Sequence, residues 1–303
     1  MTAAPLRARP VPRRWFAVPA LAGALFGAYA LWLHATSDPL IDVHVYYDAA
    51  TRLNAGLPLY RAGIVEPYVY PPMFATLFRP LALLPFGVAA AIWEGLVVAA
   101  FALTLWRLGI RRPATWFAVG VLGAAIAWTL AIGQAEAIVT LLLTFGSPLS
   151  VALAGHVKLV PFLVGIYWIG RRDWANLGRF AGWTVGLGIL EFIAEPASVI
   201  AYPGAIVGNF GQVASAGNIS PFALSPFLWA ALVAVGVAVT LRLGRTRWGW
   251  GAAVALSVFA PPRLFAYTMM TLLACLRRPD ETARIDRSRP QRIPASSTGP
   301  GPA

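Results

Sequence analysis

Long apolar runs alternate with short basic or polar segments along most of this chain. The runs that predict membrane-spanning helices lie at about 15–33, 86–108, 115–132, 151–170, 175–193 and 221–241. An α-helix needs about 20 apolar residues to cross a hydrocarbon core, and several of these runs are that long. The alternating pattern of a β-barrel is absent from the sequence. The pattern therefore predicts an all-α polytopic membrane protein with roughly 8 to 10 helical elements.

Two apolar stretches are interrupted rather than continuous. Residues 133–150 are broken at Gly146 and Pro148, so this stretch is too short to span and is expected to re-enter the membrane or to form a packed half-helix. Residues 248–276 are split by a Pro-Pro-Arg sequence and predict one kinked span or a short hairpin. The polar segments 35–72 and 195–220 are interpreted as external loops.

These patterns divide the chain into three parts. Residues 1–14 are a basic N-terminus, 15–276 an integral membrane domain, and 277–303 an Arg/Pro/Ser/Gly-rich tail that is expected to be disordered. A basic start before an apolar run also fits a cleaved signal peptide. The length of the run and the lack of a clear small-residue exit favour an uncleaved first helix.

Composition and charge agree with a membrane protein. The chain is 58% hydrophobic and only 12% charged, whereas soluble domains carry about 25% charged residues. The net charge is +12, and the basic residues cluster at both ends of the chain and between apolar runs, with arginines at the N-terminus and at 107–112, 171–172 and 242–247. Such clusters mark cytoplasmic turns, so we expect a cytoplasmic N-terminus, an external segment 35–72, and no nucleic-acid partner. A single cysteine excludes a disulfide within the chain.

Candidate chemistry is concentrated just after the first apolar run, where Asp38, Asp42 and Asp48 lie among aromatic residues. On a helix, Asp42 and Tyr46 are four residues apart and share a face. A carboxylate at a membrane–water boundary can act as a general base for a sugar hydroxyl. It can also bind a divalent cation, Mg²⁺ or Mn²⁺, that carries a phosphate leaving group. A solvated loop acid is the plain alternative, and no metal ligand is assigned.

Other polar residues stand inside or beside apolar runs. Lys158 is either a functional charge that faces a cavity or a side chain that reaches an interface. Gln134 and Glu136 either line a cavity or mark the interface. Arg263 and Tyr267 are four residues apart after the double proline, where the arginine either holds a lipid phosphate or ends a helix.

Nucleotide-binding loops of the GxxxxGKS and GxGxxG types and the HExxH zinc motif are absent from the sequence. Glu94 and Glu191 are isolated acids in apolar runs, and the sequence assigns them no role. His156, as a single histidine, is expected to be packed or capped.

Four blocks carry a family resemblance: D-V-H-V-Y-Y-D-A-A-x-x-L-N-A-G-x-P-L-Y, Y-V-Y-P-P-M-F-A-T-L-F-R-P-L-A-L-L-P, G-Q-A-E-A-I-V-T-L-L-L and K-L-V-P-F-L. The chain resembles glycosyltransferase family 87, which comprises polyprenol-phosphate-mannose-dependent α-mannosyltransferases of the GT-C superfamily. The resemblance covers about residues 38–172 and, weakly, 255–276. It implies a GT-C-like membrane enzyme with its site on the outer face of a bacterial plasma membrane, surrounded by membrane lipids.

The same resemblance implies an activity and roles for residues. A hexose, most simply mannose, passes from a polyprenyl phosphate to a lipid or glycan acceptor, and Asp42 matches the position of the base. The residues expected to bind substrate are Tyr46, Tyr70, Gln134, Lys158, Arg263 and Tyr267. A non-catalytic relative, a lipid or sugar transporter of the flippase type, and a structural subunit of an envelope-synthesis complex stay open as alternatives.

Overall fold

The computed structural model describes residues 14–37, 39–61, 67–208 and 217–277. Within these ranges the first seven α-helices are α1 (Arg14–Ser37), α2 (Ile41–Asn54), α3 (Pro72–Phe78), α4 (Phe86–Leu108), α5 (Pro113–Val121), α6 (Gly123–Ile132) and α7 (Glu136–Phe145). The remaining α-helices are α8 (Pro148–Val157), α9 (Ile166–Arg171), α10 (Trp174–Ala194), α11 (Pro196–Gly208), α12 (Pro226–Leu243) and α13 (Gly249–Phe259). Segments of 3₁₀-helix lie at Leu81–Leu83, Val160–Gly165, Pro221–Ala223 and Ala266–Leu276.

Among the described residues, four helices are long and apolar enough to cross a membrane: α1, α4, α10 and α12. Helices α5 and α6 together would make a fifth span, bent by 67° between them. The prediction of an all-α polytopic membrane protein is therefore confirmed. The predicted span 86–108 coincides with α4, because Pro85 precedes the apolar run and Gly109, with a φ of 90°, ends it.

The structure differs from the sequence expectations in three segments. The predicted loop 35–72 contains α2, and the predicted loop 195–220 contains α11, which continues past Pro203. The predicted span 151–170 is interrupted, because α8 ends at Val157 and the chain turns extended at Lys158 before a 3₁₀ segment. The break predicted at Gly146 is present, and so is the split around residues 261–263. The predicted tail lies outside the described residues except for Arg277.

Small residues bring α1 against α5 and α6. A Cβ atom at Gly23 or Gly27 would overlap the backbone at Gly120 or Gly123. Close backbone approach of this kind is how helices associate in lipid, where the hydrophobic effect gives little driving force. This contact places the end of α6, and the residues that follow it, beside the start of α2.

Helix α7 is short but central, since it packs against α4, α8 and the 3₁₀ segment Ala266–Leu276. Its buried face carries polar side chains, including Thr140, whose hydroxyl lies 3.0 Å from that of Thr271. Polar groups at membrane depth need partners within the protein, because lipid offers none. The polar face of α7 therefore points into the protein rather than into lipid.

Candidate active site

The joint between α6 and α7 holds Gln134. Gly133 ends α6 with a φ of 71°, and its carbonyl accepts a hydrogen bond from Trp93 Nε1 at 2.7 Å. A Cβ at this glycine would overlap the side chains of Val43 and Glu94. Both the positive φ and the crowding require glycine here. The joint thus places the Gln134 side chain, which is fully buried, at one defined position.

The start of α2 is also constrained. Leu40 has a left-handed φ of 56°, which costs a non-glycine residue about 1–2 kcal/mol. Its N–H donates to the carbonyl of Ala131 at 3.1 Å, so the end of α6 holds the start of α2. Asp42 lies in the first turn of α2 and is half-buried. A carboxylate in a first helical turn is stabilised by the helix dipole.

Four of the predicted site residues form one hydrogen-bonded cluster. Gln134 Nε2 donates to Asp42 Oδ2 at 2.9 Å, and Gln134 Oε1 accepts from the hydroxyls of Tyr46 at 2.6 Å and Tyr70 at 3.0 Å. This arrangement fits an ionised Asp42, which can only accept hydrogen bonds. The amide of Gln134 therefore orients the carboxylate.

The two tyrosines act as hydrogen-bond donors and not as bases. Burial raises the pKa of Tyr46 well above its ordinary value, and the carboxylate of Asp42 adds to the effect. The pKa of Tyr70 is also raised, first by burial and then by Asp42. Both phenols stay protonated at neutral pH because their charged forms are poorly solvated.

A second cluster forms around Glu136, two residues after Gln134 in the sequence. Glu136, which is 1% exposed, accepts hydrogen bonds from Lys158 and from the hydroxyl of Thr271. The structure therefore gives Lys158 a carboxylate partner inside the protein. We call Asp42, Tyr46, Tyr70, Gln134, Glu136, Lys158 and Thr271 the polar centre.

The last two predicted residues join the polar centre through aromatic contacts. The ammonium of Lys158 lies 5.2 Å from the ring centroid of Tyr267, which stacks on Phe265 with centroids 5.6 Å apart. The guanidinium of Arg263 lies 4.8 Å from the Phe265 ring. The Tyr267 phenol is also within electrostatic range of Asp42. The structure thus brings together all seven residues that the sequence singled out, while their roles stay predictions.

The other acids near the start of α2 are placed differently. Asp38 lies outside the described residues. Asp48 is exposed and pairs with Arg61 at 3.3 Å. His44 stacks on Phe86, with ring centroids 3.9 Å apart. In the part of the chain that the structure describes, no group of three His, Cys, Asp or Glu side chains is placed to hold a metal ion.

Sequence reasoning missed two aspects of this site. It assigned no role to Thr271, because a threonine in an apolar helix usually bonds to its own backbone. It considered Glu136 and Lys158 separately, since they lie 22 residues apart and no helical period relates them. The available signal was the presence of opposite charges, Glu136 and Lys158, on either side of the break at Gly146. Buried charges in membrane proteins are normally paired.

Comparison with known families gives a match over most of the chain. The matching family model covers residues 68–284 and is described as Glycosyltransferase family 87. The matched region includes Tyr70, Gln134, Lys158, Arg263 and Tyr267, but it begins after α2. No solved structure gives a significant match.

Two curated relatives are similar over part of their length. A polyprenol-phosphate-mannose-dependent alpha-(1-2)-phosphatidylinositol pentamannoside mannosyltransferase of Mycolicibacterium smegmatis is 29% identical over 69% of this chain. A polyprenol-phosphate-mannose-dependent alpha-(1-2)-phosphatidylinositol mannoside mannosyltransferase of Mycobacterium tuberculosis is 27% identical over 52% of it. The matches span 58% and 46% of those two proteins. The chain thus spans about half the length of these relatives.

Proposed function

Because the chain belongs to glycosyltransferase family 87, we propose that it moves a hexose, most simply mannose, from a polyprenyl-phosphate-sugar to a lipid or glycan acceptor in the membrane. The observation that carries the proposal is the half-buried Asp42 carboxylate, which the buried amide of Gln134 orients. The names of these relatives support a polyprenyl-phosphate-mannose donor and a glycolipid acceptor.

Asp42 serves as the general base in this proposal. An acceptor hydroxyl attacks the anomeric carbon, the bond from that carbon to the phosphate oxygen breaks, and polyprenyl phosphate leaves with the bonding electrons. The hydroxyl proton passes to Asp42. A base must reach the proton it removes, and general-base catalysis contributes about 10²- to 10⁴-fold in rate.

Arg263 is the better candidate for holding the donor phosphate. Lys158 already pairs with Glu136, so its positive charge is largely neutralised inside the protein. Arg263 follows the Pro-Pro break and presents a planar guanidinium over Phe265. A guanidinium can donate two parallel hydrogen bonds to a phosphate, whereas lysine acts as a point charge.

The assay that tests the proposal uses purified protein, radiolabelled polyprenyl-phosphate-mannose and a membrane lipid extract. We expect label to move into a new lipid product in proportion to enzyme and time. The same labelled lipid in sealed vesicles tests for transport. Movement of intact donor across the bilayer without a glycosylated product would overturn the proposal in favour of a flippase.

We further propose that the site faces the outside of a bacterial plasma membrane and that the N-terminus is cytoplasmic. The clusters of arginine between spans support this orientation. In a Cys275→Ala background, Asn54→Cys at the end of α2 should react with an impermeant maleimide on intact cells. Labelling only after permeabilisation would invert the orientation.

A further inference from the structure

A second buried polar contact joins α8, α10 and the start of α3. His156 Nδ1 lies 2.9 Å from Glu191 Oε2, and His156 Nε2 lies 3.1 Å from the carbonyl oxygen of Thr184. The other oxygen, Glu191 Oε1, accepts the backbone N–H of Met73 at 2.6 Å. The two side chains are 7% and 8% exposed, so water is largely excluded from the contact.

The inventory of donors and acceptors shows that this contact holds one shared proton. A carbonyl oxygen only accepts, so His156 Nε2 must carry a hydrogen. Nδ1 and Glu191 Oε2 then need one further proton between them, either on the imidazole or on the carboxyl. Without that proton, two lone pairs would face each other, which is costly in a buried site.

The contact leads directly to the polar centre. Met73 directly follows residues 70–72, which we call the Tyr-Pro-Pro corner. The hydroxyl of Tyr70, the first residue of the corner, donates a hydrogen bond to Gln134 Oε1. The Tyr60 hydroxyl also holds the corner, because it donates a hydrogen bond to the carbonyl of Tyr70 at 2.9 Å. Two consecutive prolines restrict the backbone between Tyr70 and Met73. A shift of the Met73 N–H is therefore transmitted to Tyr70.

We propose that His156 and Glu191 form a positioning pair for the transfer reaction. While the pair holds its shared proton, it fixes the Tyr-Pro-Pro corner, and the corner keeps Tyr70 on Gln134. Loss of the Glu191 carboxyl group removes two of the three hydrogen bonds and loosens the corner. This inference rests on the proposed function, since the positioned groups surround Asp42.

The charged and titratable groups around the pair have other partners. On α7 and at the end of α8, Glu136 and Lys158 bind each other. After α3 and after α10, Arg79 and Glu195 form an ion pair of 2.7 Å. The stacked phenols of Tyr60 and Tyr202 lie within electrostatic range of Glu191. The charged groups among these already have partners of opposite sign, so none of them competes for His156 or Glu191.

Glu191→Gln is the diagnostic variant. Its amide oxygen can accept the Met73 N–H, and its amide N–H can donate to the unprotonated Nδ1 of His156. All three hydrogen bonds then form without a shared proton. Glu191→Ala removes two of them. Glu195→Gln is the matched control, because it disrupts a more exposed ion pair between the same two parts of the protein.

The experiment measures kcat and the donor KM at neutral pH for all four proteins. At neutral pH we expect Glu191→Gln to keep kcat within about threefold of wild type. Glu191→Ala should lose about tenfold or more in kcat, on the scale of one lost hydrogen bond to a charged group, while its donor KM stays within about threefold. Glu195→Gln should keep wild-type kinetics.

Melting temperature in detergent gives a readout that does not depend on transfer. Glu191→Ala should melt below wild type, and Glu191→Gln should melt near it. A kcat of Glu191→Gln that falls as far as that of Glu191→Ala would overturn the inference. Absence of transfer by wild-type protein, with the difference in melting temperature present, would instead overturn the proposed function and leave only a structural contact.

Discussion

The polar centre and the long apolar helices place their side chains in opposite environments. Six of the ten residues of α7 are buried, and they include a carboxylate and two threonines. In α12, one residue of 18 is buried, and in α10 none of the 21 described residues is. Helix α7 therefore carries internal contacts along most of its length, whereas α10 and α12 present most of their surface outward, apart from the Glu191 side chain on α10. The long helix α4, with seven buried residues, lies between these cases.

This contrast indicates which positions of the chain tolerate substitution and which do not. An outward apolar residue can be replaced by another because lipid accepts either. A buried polar residue must find its partner within the protein, and removal of one partner leaves the other unsatisfied. Substitutions that are equally conservative in volume should thus differ sharply in effect between the two regions.

The largest expected effect on folding is in the Glu136–Lys158 pair. Lys158→Met keeps much of the volume but leaves Glu136 buried without its ammonium partner. Breaking a buried pair costs about 3–5 kcal/mol. Thermal unfolding in detergent should show a strongly lowered melting temperature. The matched change in the other region, Val239→Ala on the outer side of α12, should stay within about 0.5 kcal/mol of wild type.

The double variant Glu136→Gln with Lys158→Met serves as the control for this prediction. Removing both charges avoids an uncompensated charge, so most of the stability should return. Equal losses for Lys158→Met and Val239→Ala would show that the two regions do not differ as described.

A smaller effect is expected for Gln134→Met. This change is close in volume and removes the hydrogen bonds to Asp42, Tyr46 and Tyr70. We expect kcat/KM to fall about 10- to 100-fold, which corresponds to one lost hydrogen bond to a charged group of about 1.5–3 kcal/mol. Transfer rates measured at saturating donor will separate this loss from donor binding. A wild-type kcat would mean that the amide does not orient the base.

The effect of Arg263→Gln should be confined to the donor. If the guanidinium holds the donor phosphate, the apparent donor KM should rise by about tenfold or somewhat more, with the acceptor KM unchanged. Arg247→Gln is the matched control, since Arg247 also lies over an aromatic ring, Trp248 at 4.9 Å, away from the polar centre. If the donor KM of Arg263→Gln is no higher than that of Arg247→Gln, the phosphate is held elsewhere, for example by a divalent cation.

The regular elements were predictable from sequence because local physics sets their ends. The span 86–108 begins after Pro85 and ends at Gly109, so these two residues and the apolar run between them define its bounds. Helix α2 was interpreted as a loop because polar and apolar residues alternate irregularly in it. Its buried positions, Val43, Tyr46, Ala50 and Leu53, nevertheless follow a helical period. Helix α11 was missed because Pro203 lies inside it.

The partners in the polar centre could not be predicted in the same way. Gln134 lies 92 residues from Asp42 in sequence, and Glu191 lies 35 residues from His156. Only the packing of α2, α6, α7, α8 and α10 brings these side chains together, and no local pattern reports that packing. The family resemblance named individual residues but not the contacts between them.

The most direct test of the account is a single-turnover measurement on Asp42→Asn, with donor binding measured in the same protein. Asp48→Asn is the control, because Asp48 lies on the same helix but is exposed and pairs with Arg61. We expect Asp42→Asn to slow transfer by about 10²- to 10⁴-fold while donor affinity stays within about threefold. Asp48→Asn should transfer at a near-wild-type rate. A near-wild-type rate for Asp42→Asn would contradict the role of this carboxylate as the base.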